Sequence, residues 1–142
     1  MNTRTAKAKG RRLQNDIRDV LLEHFSEELE PDDIRSQVMG MSGEDIVLSP
    51  AARKLIPYSF ECKNQEKLSI WSSLEQAESN SGDYPPVLIF KRNRSKTYVT
   101  LELEEFIKLI KKNMSTNIGF DKTYVINLKS RQKRRDEMEK TL

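Results

Sequence analysis

The sequence is poor in the side chains that build disulfides, soft metal sites and nucleophilic triads. It holds one cysteine, Cys62, and one histidine, His24. A single cysteine excludes an internal disulfide, which fits a reducing cytoplasm. One histidine excludes a His-rich or Cys/His metal site and a Ser-His-Asp triad of the usual kind. Any metal must therefore be held by carboxylates, which suits Mg²⁺ or Mn²⁺.

Long apolar runs are also lacking. No segment approaches the length of a membrane span, and the N-terminal sequence MNTRTAKAKGRR has no apolar stretch like that of a signal peptide. Hydrophobic residues make up 36% of the chain and charged residues 33%, so we expect a modest core under a heavily charged surface. The length of 142 residues fits one domain with room for a tail.

Positive charge is present in clusters, which the net charge of +3 conceals. The chain also contains an acidic run at 27–33. Basic clusters that are separate in sequence either merge on one face, which would bind phosphate, or stay solvated on loops. Three such clusters occur: Arg4, Lys7, Lys9, Arg11 and Arg12; Lys91, Arg92, Arg94 and Lys96; Arg131, Lys133, Arg134 and Arg135.

Hydrophobic spacing predicts alternating helices and strands. Helical spacing runs over 11–25, over 66–80 and from Leu103 to about Asn113, with a helical turn plausible at Ala51–Leu55. The order α-β-β-β-α-β-β-α predicts an α/β fold with a mixed sheet between helices. Trp71 is expected in the core rather than as a platform for base stacking. The predicted strands cover 37–41, 45–49, 58–63, 87–90 and 97–101.

The strand predicted at 58–63 carries an acid and a lysine two residues apart. Because side chains alternate between strand faces, Glu61 and Lys63 share one face while Cys62 points toward the core. Asp45 stands at the start of the preceding strand, so Asp45 and Glu61 converge if the two strands pair. Two carboxylates suit Mg²⁺, and a lysine beside them suits orienting water and stabilising charge on a phosphate. The alternative is a surface ion pair beside an unrelated acid.

The order of these motifs resembles the PD-(D/E)XK nucleases, which have an acid before one strand, Glu-x-Lys in the next and a helix on either side. Within that superfamily, KGRRLQND (9–16) and LEQAES (74–79) resemble the archaeal-type Holliday junction resolvases. The resemblance covers roughly residues 9–110. It implies a three-layer, restriction-endonuclease-like fold and a Mg²⁺-dependent DNA endonuclease. The literal PDD at 31–33 is set aside, because it lies in the acidic run and no apolar strand is expected directly after it.

Individual roles follow from this resemblance. Gln14 falls where the resolvases carry an acid in the first helix, and an amide ligates or positions water without supplying charge. That departure leaves open the number of metals, and also a non-catalytic DNA-binding module on the same fold. The roles implied are metal ligation by Asp45, Glu61 and the Cys62 carbonyl, with Gln14 as a further possible ligand, and catalysis by Asp45, Glu61, Lys63 and the supporting Gln76.

The resemblance also implies DNA as the partner, as a branched or otherwise structured duplex cut by a homodimer. We expect a basic N-terminal arm at 1–10, a nuclease domain at 11–113 and an appendage at 114–142. Residues 121–142 resemble the opening strand and helix of family 25 glycosyltransferases, so the appendage is interpreted as a fusion remnant or the start of another domain. The expected DNA contacts are Lys9, Arg11, Arg12, Arg18, Arg92, Arg94 and Lys96.

Overall fold

The computed structural model describes residues 3–38 and 40–120, with side chains described as far as residue 114. Helices and short strands alternate in the predicted order, and the helical turn expected near residue 51 is present as a short helix. The elements are α1 (Thr3–His24), β1 (Ile34–Ser36), β2 (Ile46–Leu48), α2 (Pro50–Leu55), β3 (Ser59–Asn64), α3 (Ile70–Asn80), β4 (Pro86–Lys91), β5 (Tyr98–Thr100) and α4 (Leu103–Phe120).

The central sheet is mixed, as predicted. Strands β3 and β4 run parallel, with Glu61 opposite Leu88, and β5 pairs antiparallel with β4. Strands β1 and β2 form a separate two-stranded antiparallel ribbon. Val87, Leu88 and Ile89 of β4 are all buried. A continuous apolar strand of this kind is expected where helices or loops cover both faces of a sheet.

Helices cover the two faces of β3 and so create three layers. Helix α1 packs on β1 and β3, and its Leu13 lies in the same core cluster as Phe60 and Cys62. Helix α3 packs on β3 and β4 from the other side. The predicted α/β, restriction-endonuclease-like fold class is therefore confirmed.

The expectation that Trp71 lies in the core is wrong, because its side chain is 76% exposed. The residues that α3 buries are the small Ser73 and Ala77. Small side chains let a helix lie close to the sheet, and the helical rotation then turns Trp71 toward solvent. The Ser73 hydroxyl donates back to the Ser69 carbonyl at 2.7 Å, so this buried polar group is satisfied.

The first strand lies earlier than the sequence predicted. Strand β1 directly follows a 3₁₀ turn at Pro31–Asp33, so the expectation that no strand comes after that segment is wrong. The Asp33 side chain nevertheless has hydrogen-bond partners in the structure around it. Its carboxylate accepts hydrogen bonds from the Glu30 N–H and the Ser49 hydroxyl, each at 2.7 Å. Asp33 therefore ties the turn to the start of α2.

Two helices are longer than predicted. Helix α1 already begins at Thr3, within the expected basic arm, and α4 continues past Asn113 to Phe120. Contacts divide the chain into one compact unit ending at Glu102 and a second beginning at Leu103. The segment that resembles a glycosyltransferase, 121–142, lies outside the described residues. No helix in the described part of the chain is long and apolar enough to cross a membrane.

Candidate active site

The carboxyl end of β3 brings four of the predicted catalytic side chains into one neighbourhood. The Lys63 ammonium lies 3.6 Å from a Glu61 carboxylate oxygen and donates to the Gln76 side-chain oxygen at 2.7 Å. Asn80 of α3 donates to the other Glu61 oxygen at 3.4 Å. Glu61 is only 3% exposed. Asp45 completes this group, and we call Asp45, Glu61, Lys63 and Gln76 the carboxylate centre.

Asp45 reaches β3 through hydrogen bonds rather than through a continuous strand ladder. Its N–H donates to the Phe60 carbonyl at 2.9 Å, and its carboxylate accepts the Cys62 N–H at 2.7 Å. The N–H and C=O of one strand residue point to the same side. The Cys62 carbonyl therefore points toward the edge of β3 where Asp45 lies, as the predicted backbone ligand requires.

Burial makes both carboxylates of the centre harder to ionise. It raises the pKa of Asp45, although the Cys62 N–H and the charge of Lys63 oppose this. Burial also raises the pKa of Glu61, and the negative charge of Asp45 raises it further, against Lys63 and Asn80. A bound cation would stabilise the ionised forms of both acids, because they repel each other in a low-dielectric site.

The donor chemistry fits a hard divalent cation. The described residues hold no group of three or more His, Cys, Asp or Glu side chains placed to share a metal. What they offer is two carboxylates with a backbone carbonyl nearby. Mg²⁺ needs only one or two carboxylates when substrate phosphate and water complete its coordination. These residues therefore favour a metal site whose coordination is completed by the substrate phosphate and water.

Gln14 lies on α1, which packs on β3. It is 8% exposed, and its side-chain oxygen is buried without a hydrogen-bond partner. It lines a cavity of about 240 Å³ between α1 and the end of β3, which Cys62 and Lys63 also line. Asn64, which no sequence pattern indicated, lines this cavity too, and its buried side-chain oxygen is likewise unpartnered. Buried acceptors without donors are rare, so both oxygens suit an incoming ligand or water.

Two of the basic clusters meet on one surface, which was one of the two alternatives left open. Lys9 and Arg12 of α1 and Lys91 and Arg94 of the β4–β5 segment line one cavity of about 320 Å³. The Lys9 ammonium donates to the Asn93 side chain at 2.7 Å and joins the two segments. We call Lys9, Arg12, Lys91 and Arg94 the basic groove. Asn64 lines it as well and so connects it to the cavity that contains Lys63.

The other predicted DNA contacts are distributed differently. Arg11, Arg92 and Lys96 are exposed. Arg18 lies apart from the basic groove, because it pairs with Asp19 at 2.9 Å and lines a cavity with Asp32.

The turn that carries Arg94 is fixed by contacts that the sequence does not reveal. Glu66 accepts the Asn93 N–H at 3.0 Å, and the Ser95 hydroxyl accepts the Arg92 N–H at 3.0 Å. Arg94 has a φ of 63°, in the left-handed region that side chains other than glycine seldom adopt. These contacts fix the backbone of the turn from which the basic side chains extend.

Comparison with known proteins identifies the family. The model of the family described as "Phage putative PDDEXK endonuclease" matches residues 5–141. The chain therefore belongs to this family, and the PD-(D/E)XK part of the sequence resemblance is confirmed. Neither the curated proteins nor the solved structures include a match. The family match extends to residue 141 and so covers all but the last residue of the segment 114–142 that was expected to be an appendage.

Proposed function

We propose that this protein is a metal-dependent endonuclease that hydrolyses phosphodiester bonds in DNA. One observation carries the proposal: the buried Glu61, the half-buried Asp45 and Lys63 lie together at the end of β3, both acids have a raised pKa, and the lining of the adjacent groove includes four cations. Perturbed acids next to a lysine are common in active sites, and a basic groove attracts a nucleic-acid backbone. Membership of a PDDEXK endonuclease family supports the same reaction class.

Asp45, Glu61 and the Cys62 carbonyl would hold a divalent cation, Mg²⁺ or Mn²⁺. Gln14 is a further candidate because its buried oxygen lacks a partner beside Cys62. When bound, the cation supplies positive charge that stabilises the phosphate as negative charge develops on it.

The side chains of the protein supply orientation and a further positive charge. Lys63 is held between Gln76 and Glu61, so its ammonium is already oriented in the site and loses little conformational freedom when substrate binds. From there it donates hydrogen bonds to a phosphate oxygen or to an attacking water. Asn80 and Lys63 together fix the orientation of the Glu61 carboxylate.

The basic groove binds the substrate through its backbone. Contacts between lysine or arginine side chains and phosphates carry no sequence information by themselves. We therefore propose a substrate chosen for its structure, such as a branched duplex, in line with the resemblance to junction resolvases. Symmetric cutting of a junction needs two active sites, so the acting species is a two-fold dimer.

A cleavage assay tests this function directly. A labelled four-way junction and a linear duplex with the same arm sequences are incubated with Mg²⁺, with Mn²⁺ and with chelator, using Glu61→Ala as the control. Metal-dependent nicking by the wild type but not by Glu61→Ala supports the endonuclease. Equal cutting of both substrates would reject structure selectivity, and a monomer by light scattering on the junction would reject the dimer. Intact binding without cleavage in either metal would instead favour a DNA-binding module on the nuclease fold.

A further inference from the structure

A cavity outside the carboxylate centre lies beside the carboxyl ends of β3 and β4. Its volume is about 350 Å³, within the range of roughly 300–1,000 Å³ that small ligands occupy. Apolar and aromatic side chains line it together with polar and basic ones and one acid, Glu66, which accepts the Asn93 N–H. The lining residues that matter here are Ile70, Phe90 and Tyr98, together with Gln65, Lys91 and Arg92. We call it the aromatic pocket.

The aromatic part of this pocket is preformed. Phe90 and Tyr98 lie opposite each other on β4 and β5, and their rings stack with centroids 6.0 Å apart and planes 29° apart. Tyr98 remains 54% exposed, so much of its surface is available to a ligand. A flat, exposed ring held by a strand pair loses little entropy when a second flat ring stacks on it.

The position of the pocket indicates where its ligand comes from. Lys91 lines both the aromatic pocket and the basic groove. Gln65 lines both the aromatic pocket and the cavity that contains Lys63. A strand whose phosphates lie in the groove would therefore pass the mouth of the pocket close to the candidate active site.

We propose that the aromatic pocket binds the base of an unpaired nucleotide, whose phosphate is held by Lys91 and Arg92. The rings of Phe90 and Tyr98 fit a planar base, and the two cations fit an anion attached to it, a combination that an apolar peptide would leave unused. Bases within a duplex are stacked and hydrogen-bonded, so only an unpaired base enters. This inference rests on the proposed function and adds that the substrate carries an unpaired nucleotide near the cut.

Removing a base without removing its phosphate tests the pocket. The probes are a fluorescein-labelled duplex with one unpaired thymidine and the same duplex with an abasic residue at that place, and binding is measured in chelator. The wild type should bind the thymidine probe about tenfold more tightly, as expected from base–aromatic stacking. Tyr98→Ala should bind both probes equally, whereas Tyr98→Phe should keep the preference.

Two further variants control for folding and for nonspecific DNA binding by exposed aromatic side chains. Tyr98→Leu keeps an apolar side chain on β5 but removes the flat ring, and it should also lose the preference. Trp71→Ala removes another exposed aromatic side chain, which does not line the pocket, and it should behave like the wild type. Equal binding of both probes by the wild type, or an unchanged preference in both Tyr98→Ala and Tyr98→Leu, would overturn the proposal.

The outcomes separate this inference from the proposed function. Metal-dependent cleavage together with equal probe binding would reject the pocket and leave the endonuclease standing. A Tyr98-dependent preference for the base in a protein that never cleaves DNA would support the pocket and reject the nuclease.

Discussion

The carboxylate centre and the basic groove lie next to each other but are built in opposite ways. Glu61 is almost completely buried, and its oxygens contact Lys63 and Asn80. Arg12 and Arg94 in the groove are exposed. Charges in water are screened by salt and give affinity without fixed geometry, whereas buried charges act strongly and need well-placed partners. Catalytic chemistry and DNA affinity should therefore be separable in this protein.

The largest expected effect comes from breaking the carboxylate centre. Lys63→Ala and Glu61→Ala should each lower the single-turnover cleavage rate by about a hundredfold to a thousandfold, because Lys63 is proposed to stabilise charge on the phosphate and Glu61 is proposed to hold the metal ion. DNA affinity in chelator should change by less than about twofold, since the phosphate contacts lie in the groove. Rapid-quench cleavage and anisotropy titration measure the two quantities.

Glu75→Ala is the matched control for these two variants. Glu75 is an exposed acid on α3 beside Gln76, so its removal should leave both rate and affinity unchanged. A Lys63→Ala protein that cleaves at the wild-type rate would contradict the assignment of the site.

The second prediction concerns the removal of charge from the basic groove. Arg12→Ala combined with Arg94→Ala should weaken binding at moderate salt and leave the cleavage rate of saturated enzyme unchanged. The slope of log affinity against log salt should flatten by about 0.9 for each phosphate that the double variant no longer neutralises. Arg18→Ala is the control, because Arg18 is paired with Asp19 away from the groove. A changed rate with an unchanged slope would place these arginines in the chemistry instead.

Much of the carboxylate centre was predictable because it follows a strict local rule. The alternation of β3 fixes the faces of Glu61 and Lys63 whatever the rest of the chain does. The apolar run of β4 likewise marks the sheet centre. The position of Asp45 next to β3 was predicted only on the condition that the two strands pair, and hydrogen bonds of Asp45 replace that pairing.

The features that could not be predicted depend on long-range packing. Lys9 bonds to Asn93 across 84 residues of sequence, and Glu66 reaches Asn93 across 27. No period or spacing encodes such pairs. Strand β1 has three residues, too few for alternation to emerge from the sequence. Trp71 was misplaced because the apolar spacing of α3 does not reveal that the small residues face the sheet.

The third prediction concerns the cost of burying acids. The pKa of Glu61 is raised in the folded state, so ionised Glu61 lowers stability at neutral pH, and this penalty disappears as the pH falls through the folded pKa. Glu61→Gln should therefore melt a few degrees higher than the wild type at neutral pH in chelator, with the difference shrinking in acid. Mg²⁺ should raise the melting temperature of the wild type more than that of Glu61→Gln.

Glu75→Gln should show none of these changes, because Glu75 is exposed. A Glu61→Gln protein that melts lower than the wild type at neutral pH would mean that the Lys63 and Asn80 contacts outweigh the burial of the charge.

The smallest expected effect separates charge from backbone shape within the basic groove. Arg94 adopts a left-handed conformation that costs an ordinary side chain more than it costs glycine. Arg94→Gly should therefore be more stable than Arg94→Ala, by about 1 kcal/mol in urea denaturation, while both bind DNA equally weakly. Arg94→Lys should keep most of the affinity at the stability of the wild type. If the glycine variant is the less stable of the two, the turn is held by Glu66 and Ser95 without strain at Arg94. If it also binds DNA as the wild type does, Arg94 makes no phosphate contact, and the groove depends on Lys9, Arg12 and Lys91 alone.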